Sequence, residues 1–157
     1  MMFQNKTSCA IFLSRFEKNV DKMTVKALLR PETYDICHPI IVGDSRIVER
    51  GVRAVGAKGL TVHPVQKVSD ALFQPGTLDV YEVPLACENV DEIPYGKVTV
   101  IGGEAAFTCV RKVIELAMAN KIDGTITGPL NKEAMNLAGY HYIPKFTPNS
   151  PTPRITP

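Results

Sequence analysis

Four short apolar runs along the chain have the composition of buried parallel strands. They are bounded by Gly, Pro or Asp and occupy residues 38–44, 60–65, 77–85 and 122–129. In the third run Leu78, Val80 and Glu82 alternate with Asp79 and Tyr81, which predicts one apolar and one polar face. The fourth run ends in a Gly-Pro turn. The pattern therefore predicts a sheet whose strands are separated in sequence.

Segments with a helical spacing of apolar residues lie around and between these runs. They occupy residues 24–30, 45–56, 103–121 and 131–139. Pro31 ends the first helix because proline cannot continue it, and Gly56 and Gly139 stand where helix C-caps belong. Asn131 is an N-cap for the last helix. Residues 84–102, rich in acids, prolines and glycine, predict a loop.

The segment 103–121 predicts the strongest helix of the chain. Its last residue, Lys121, lies at the carbonyl end, where a positive charge is favoured. A broad apolar face is formed by Phe107, Val110, Ile114, Leu116, Ala117 and Met118. The helix should therefore cover a face of the sheet.

The alternation of strands and helices predicts an α/β fold with a largely parallel sheet and helices on both faces. The 157 residues, 45% of them hydrophobic, are enough for one domain or one lobe of a larger protein. A net charge of +2, with interspersed acids and bases, predicts no nucleic-acid partner. No apolar run approaches the ~18 residues of a membrane span, and the N-terminus lacks a signal-peptide pattern, so we expect a cytoplasmic chain.

Cysteines and histidines are scattered and predict no metal centre. The cysteines contain no C-x-x-C pair, so we expect reduced and mostly buried thiols rather than a zinc site. The residues concerned are Cys9, Cys37, Cys87 and Cys109, with His38, His63 and His141.

The segment TITGPLNK, residues 125–132, has the most suggestive chemistry. It lies where a predicted strand leads into a helix, and open parallel sheets bind ligands beyond the carboxyl ends of their strands. Gly128 permits close approach of the backbone, the helix start near Asn131 offers N–H groups, and Lys132 adds a positive charge. With the Thr127 hydroxyl, these residues predict a phosphate or carboxylate site. The alternative is a tight turn with Lys132 merely solvated.

The stretch DGTITGPLNKEAMNLAGYHY (123–142) resembles the signature of the 4-hydroxythreonine-4-phosphate dehydrogenase family of vitamin B6 biosynthesis. That family includes relatives acting on phosphorylated threonate and erythronate. Upstream, TVKALLRPE, HPIIVGDSRIVERGVRAVG and GGEAAFTCVRKVIELA follow in the family's order, so the resemblance covers Thr24 to Tyr142. It implies an NAD-dependent oxidation and decarboxylation of 4-phosphohydroxy-L-threonine or a related phosphorylated hydroxy acid, with a divalent metal held by histidines. It also implies a homodimer of two-domain subunits like isocitrate and isopropylmalate dehydrogenases.

The chain departs from the family's pattern in its length and near its start. Family members are about twice as long, and their metal-binding histidines lie in the part without a counterpart here. The resemblance therefore assigns no catalytic or metal-binding residue and implies one truncated lobe, inactive alone. The family's opening glycine-rich loop is also missing, since no glycine occurs between Ile11 and Leu29. We therefore separate an atypical N-terminal segment, residues 1–22, from a partial dehydrogenase lobe, residues 23–142.

A second departure follows Tyr142. Five of the twelve prolines lie in residues 143–157, which predicts a disordered tail. The family continues here with a Gly-His-Thr-Glu element that contacts substrate, and His141 falls before that histidine and does not match it. Tyr142 to Pro151 can be encoded by codons that give a family-like continuation when the same bases are read from two bases later. One hypothesis is therefore that the tail is an out-of-frame translation.

Three functions stay open from the sequence. The chain is a dehydrogenase by ancestry without activity of its own, or a non-catalytic module that binds phosphate or carboxylate through Thr127, Asn131 and Lys132. The third alternative is a pseudogene-like product. Its exposed sheet edge and apolar helix faces would predict self-association.

Overall fold

The chain alternates strands and helices in an α/β arrangement, and the computed structural model describes residues 7–12, 20–128 and 130–140. The strands are β1 (Thr7–Phe12), β2 (Cys37–Gly43), β3 (Thr61–Val65), β4 (Thr77–Glu82) and β5 (Gly124–Thr127). The helices are α1 (Val20–Leu28), α2 (Pro31–Ile36), α3 (Ser45–Val55), α4 (Val100–Met118) and α5 (Lys132–Leu137). Short 3-10 turns lie at Val68–Asp70 and Val90–Glu92. All five strands are parallel, in the order β3-β4-β2-β1-β5.

Helices cover both faces of the sheet, which confirms the predicted fold class. On one face Ile40 and Val42 of β2 pack with a row of α4 residues, Cys109, Val113 and Leu116. On the other face Ile41 packs with Val25 and Leu28 of α1 and Val48 of α3. Because the inner strand β2 is buried on both sides, its sequence is continuously apolar. None of the helices in the described residues is long and apolar enough to cross a membrane.

The inner strand β1 was not predicted as an element of the sheet. It pairs with β2 on one side and β5 on the other, and Ala10 is fully buried. The segment 1–22, separated above as atypical, thus contains an inner strand and the start of α1. Its sequence TSCAIF carries a weak strand signal, since small residues replace the usual valines and isoleucines. Residues 13–19, where the family's glycine-rich loop would be, lie outside the described residues.

Several helix boundaries differ from the predicted ones. The first helix does end before Pro31, but Pro31 itself begins α2, where its missing N–H costs nothing. Helix α4 begins at Val100 rather than 103, because the Thr99 hydroxyl accepts the Gly102 N–H at 3.1 Å and caps it. Its last residue is Met118 rather than Lys121, but the Lys121 N–H donates to the Leu116 carbonyl at 2.9 Å, so Lys121 lies at the carbonyl end as predicted.

The apolar face of α4 is narrower than predicted. Ile114 is 47% exposed and Met118 is 81% exposed. The buried residues are Gly103, Ala105, Ala106, Cys109, Val113 and Leu116, and Val110 and Ala117 are partly buried against the same core. Ile114 and Met118 are therefore the two predicted residues that do not belong to the apolar face.

Asp79 is a core residue, and its prediction on a polar face is wrong. It is 2% exposed, and its carboxylate accepts the N–H groups of Leu72 at 3.1 Å and Phe73 at 2.8 Å. Nδ1 of His63 lies 2.8 Å from the same carboxylate. The connection between β3 and β4 thus folds over Asp79 and satisfies its oxygens, which makes burial of the carboxylate tolerable.

The four cysteines form no disulfide. Only Cys109 is buried, and the other three are partly exposed, so the expectation of mostly buried thiols is wrong. Burial raises the pKa of the Cys109 thiol to about 12. That thiol therefore stays protonated and behaves as a small apolar side chain.

Candidate functional site

The carboxyl ends of four strands meet along one edge of the sheet. Phe12 is the register partner of both Val42 and Thr127, and Gly43 is the partner of Glu82. The chain places β2, β3 and β4 on one side of β1 and β5 on the other. Parallel α/β sheets bind ligands where the strand order reverses in this way. The edge beside β1 and β5 is therefore the candidate site.

The turn from β5 to α5 contains the predicted anion-binding residues. Thr127 is exposed at the end of the strand, and Gly128 is half-buried directly after it. Lys132 is the first residue of α5 and is exposed. Pro129 lies outside the described residues. Among the described residues, none of the ion pairs involves Lys132.

Asn131 caps α5, as the sequence predicts. Its Oδ1 accepts the backbone N–H of Ala134 at 3.1 Å. Gly139 follows the helix with φ +86°, so it supplies the predicted left-handed stop. The Asn131 oxygen is thus engaged in the helix cap, and the amide nitrogen is the part of this side chain suited to a ligand.

Asp44 closes the corresponding turn between β2 and α3. Its buried carboxylate accepts the N–H of Arg46 at 2.9 Å, Nη2 of Arg46 at 2.7 Å and the N–H of Leu85 at 2.8 Å. Burial alone would raise the pKa of Asp44, but the hydrogen bonds from Arg46 and Leu85 outweigh it and lower the pKa. A fixed negative charge at this helix start disfavours a phosphate. An acid directly before a helical pattern was the available sequence signal.

Arginines of α3 hold the segment 85–93 against the helix. Arg46, Arg50 and Arg53 lie on one helix face because they are four and three residues apart. Arg50 is 5% exposed, and its guanidinium lies 4.0 Å above the ring of Tyr95. The acceptors are the carbonyls of Leu85, Cys87 and Glu88 for Arg46, those of Val90 and Ile93 for Arg50, and the Asp91 carboxylate for Arg53. A segment predicted only as a loop is thus firmly held.

A surface pocket of about 330 Å³ lies between this segment and the start of α4. Its lining includes Glu88 and Glu92, whose charges disfavour an anionic ligand. None of the described residues of the β5–α5 turn contributes to it. The pocket and the candidate anion site are therefore separate features of the same sheet edge.

The described residues do not fit the implied metal or the NAD pyrophosphate. Within residues 7–12, 20–128 and 130–140, no three His, Cys, Asp or Glu side chains are arranged to hold a metal ion. His63 bonds Asp79, and the His38 ring stacks on Phe73 at 4.7 Å. His141 lies outside the described part. At the β2–α3 turn, where a pyrophosphate would bind a helix start, the Asp44 carboxylate accepts the Arg46 N–H and the Glu82 carboxylate accepts the Ser45 N–H.

A doubly wound parallel sheet with a Thr-Gly turn at its switch point is the architecture of one α/β lobe. The model of the family described as pyridoxal phosphate biosynthetic protein PdxA matches residues 35–146. The chain belongs to this family. The resemblance in the sequence is thereby confirmed.

Relatives are considerably longer than this chain. A D-threonate 4-phosphate dehydrogenase from Cupriavidus necator is 36% identical over 126 residues, which are 80% of this chain and 36% of the relative. The chain thus spans about a third of the length of the curated relatives it matches.

Solved structures agree with the fold. A 4-hydroxythreonine-4-phosphate dehydrogenase from Burkholderia phymatum has a TM-score of 0.81 and 30% identity, covering 90% of this chain and 41% of that one. The enzyme of the same description from Klebsiella pneumoniae has a TM-score of 0.73 and 24% identity, covering 88% of this chain and 41% of that one. The latter likeness concerns the fold alone.

Proposed function

We propose that the chain contributes the anion-binding turn of a dehydrogenase that oxidises a phosphorylated hydroxy acid. The candidate substrates are 4-phosphohydroxy-L-threonine and D-threonate 4-phosphate, after the names of its relatives. One observation carries the proposal. The β5–α5 turn presents the exposed Thr127 hydroxyl and the exposed Lys132 ammonium at the switch point of the sheet.

The chemistry of the turn suits a phosphate or carboxylate. The Lys132 ammonium supplies a full positive charge and three donors, and Thr127 supplies a hydroxyl donor. Gly128 has no side chain to keep a ligand from its backbone. Helix α5 has only six residues, so the lysine rather than a helix dipole provides most of the attraction. The amide nitrogen of Asn131 completes the proposed set of donors.

NAD would accept the hydride and a divalent metal would polarise the reacting oxygen in the whole enzyme. We propose that residues outside the described part provide both sites, because the described side chains fit neither. We also propose that the whole protein is a cytoplasmic homodimer. The role of the described residues is then to hold and orient the charged end of the substrate.

Calorimetry tests the anion site directly. The chain should bind D-threonate 4-phosphate more tightly than D-threonate, since the phosphate carries the charge that Lys132 attracts. Lys132→Ala should weaken binding about tenfold or more, because a charge-assisted hydrogen bond contributes about 1.5–3 kcal/mol.

A matched control is Lys58→Ala, since Lys58 is equally exposed and lies between α3 and β3 at the opposite edge of the sheet. It removes the same charge and should leave the affinity unchanged. Equal affinity of the Lys132→Ala and unsubstituted chains, or an equal loss in both variants, would contradict the proposal.

A non-catalytic anion-binding module is the second candidate function. It is favoured by the lack of a metal-ligand cluster in the described residues. Formation of NADH from NAD, D-threonate 4-phosphate and Mn²⁺ distinguishes the two. We expect binding without NADH formation by these 157 residues, whereas turnover abolished by Lys132→Ala would assign full catalysis to the chain itself.

A further inference from the structure

We infer that α4 positions the anion-binding turn, through Gly103 packed against the middle and end of α5 and through a Phe107–Tyr140 ring stack beyond that end. This inference rests on the function proposed for the turn. It assigns Gly103, Phe107 and Tyr140 as positioning residues that do not themselves contact the ligand. Their effect is transmitted through the backbone of α5.

The first contact is a close approach of two backbones at Gly103. Gly103 is buried in the first turn of α4, directly under α5. A Cβ at this position would overlap the carbonyl oxygen of Ala134. It would also lie 2.5 Å from the carbonyl carbon of Ala134 and 2.9 Å from Cβ of Ala138. Since these are mainly backbone atoms, no rotamer change relieves the overlap, and α5 must shift relative to α4.

The second contact lies one helical turn further along α4. The Phe107 and Tyr140 rings stack with centroids 3.8 Å apart and planes 7° apart. Tyr140 follows α5 directly, and its N–H donates to the Met135 carbonyl at 2.9 Å. Residues 103 and 107 share one face of α4 because they are four apart. The same face of α4 therefore contacts the middle of α5 at Ala134 and the residues that follow the helix, Ala138 and Tyr140.

Helix α5 depends on this support because it is short. It has six residues, whereas isolated helices of fewer than ~12 residues are marginal in water. Ala134, whose carbonyl faces Gly103, also donates its N–H to the Asn131 cap. Lys132 lies between these two residues. A Cβ at position 103 overlaps Ala134 by a distance on the order of 1 Å. A displacement of Ala134 by that distance therefore moves Asn131 and Lys132 with it.

Gly103→Ala separates positioning from stability. Alanine is the better helix former, so the substitution favours α4 itself while displacing α5, and the two effects on stability oppose each other. The helix propensity of alanine in α4 does not offset the loss of ligand affinity that follows from displacing α5. The affinity for D-threonate 4-phosphate should fall at least fivefold in a chain that still unfolds cooperatively. Gly124→Ala is the control, because a Cβ there meets only Cys9 Sγ at an ordinary 3.6 Å.

The ring stack provides an independent pair of variants. Tyr140→Ala removes the stack and should weaken the same affinity at least threefold, whereas Tyr140→Phe retains both rings and should stay within twofold of the unsubstituted chain. If Gly103→Ala does not fold, this pair alone decides the inference. Unchanged affinity in both Gly103→Ala and Tyr140→Ala would overturn it.

Nuclear magnetic resonance distinguishes failure of the inference from failure of the proposed function. Amide shifts of Thr127 and Lys132, measured without ligand, should change in Gly103→Ala and stay constant in Gly124→Ala. Changed shifts with no binding by the unsubstituted chain support positioning of the turn and refute the anion site. Unchanged shifts in Gly103→Ala refute positioning, whatever the chain binds.

Discussion

Substitution of Asp44 tests how much the β2–α3 turn contributes to the stability of the fold. Its carboxylate accepts four hydrogen bonds, from the N–H, Nε and Nη2 of Arg46 at 2.9, 3.0 and 2.7 Å and from the Leu85 N–H at 2.8 Å. Asp44→Ala loses a helix cap worth ~1 kcal/mol and charge-assisted bonds worth ~1.5–3 kcal/mol. We expect the free energy of unfolding to fall by about 2.5–4 kcal/mol. Asp44→Asn keeps a cap and should lose about 1–2 kcal/mol.

The same carboxylate makes stability depend on pH. Burial of Asp44 favours its neutral form, but the hydrogen bonds from Arg46 and Leu85 outweigh burial and lower the pKa. The folded pKa therefore lies below the unfolded value of about 3.9. Its stabilisation is complete above that value and is lost as the pH falls through the folded pKa. Asp44→Asn should remove this part of the acid destabilisation.

Urea unfolding followed by far-ultraviolet circular dichroism measures both effects, at neutral pH and at about pH 3. Glu49→Ala is the control, since Glu49 is an exposed acid on the same helix and its removal should change stability by less than about 0.5 kcal/mol. A loss below about 1 kcal/mol in Asp44→Ala, or the same acid sensitivity in Asp44→Asn and the unsubstituted chain, would refute the reasoning.

Three further predictions concern the core, a thiol and the cap of α5. Ile41→Ala, at a fully buried position, should lose about 2–5 kcal/mol in urea unfolding, whereas Met118→Ala, at a position 81% exposed, should lose less than about 0.5 kcal/mol. Cys109 is 3% exposed and burial raises its pKa to about 12, so it should escape labelling by a thiol reagent until the chain unfolds. The partly exposed Cys87 should react in the folded chain, and peptide mass mapping distinguishes the two sites. Asn131→Asp should preserve the helix cap yet weaken D-threonate 4-phosphate binding in calorimetry, because it adds a negative charge beside Lys132. Labelling of native Cys109, equal losses of stability in Ile41→Ala and Met118→Ala, or unweakened binding by Asn131→Asp would contradict these expectations.

Helix caps and turns were the best predicted features of this chain. Asn131 caps α5 and Gly139 follows it in the left-handed conformation, both as predicted. Gly56 ends α3 with φ +67° in the same way. These features depend on hydrogen bonds within a few residues, so a short stretch of sequence contains the whole signal.

Positions that depend on distant partners were predicted less well. The alternating pattern placed Asp79 on a polar face, but its carboxylate is buried and accepts the N–H groups of Leu72 and Phe73. The three arginines of α3 showed a helical spacing, but nothing local showed that their partners, carbonyls for two of them and a carboxylate for the third, lie some forty residues away. A polar group can be buried when hydrogen-bond partners lie close to it in the folded structure. Sequence spacing does not show which distant residues those partners are.

The turn proposed to bind an anion shows the same division. Its residues were recognisable because threonine, glycine and lysine between a strand and a helix form a local pattern. The sequence by itself determined the order of most strands and helices, the caps and the family. Only the tertiary structure decided that β1 lies inside the sheet, that Asp44 closes the β2–α3 turn, and that Gly103 supports α5. Each of these depends on a contact between segments far apart in the chain, and the geometry of such contacts exists only after the sheet and its helices have packed.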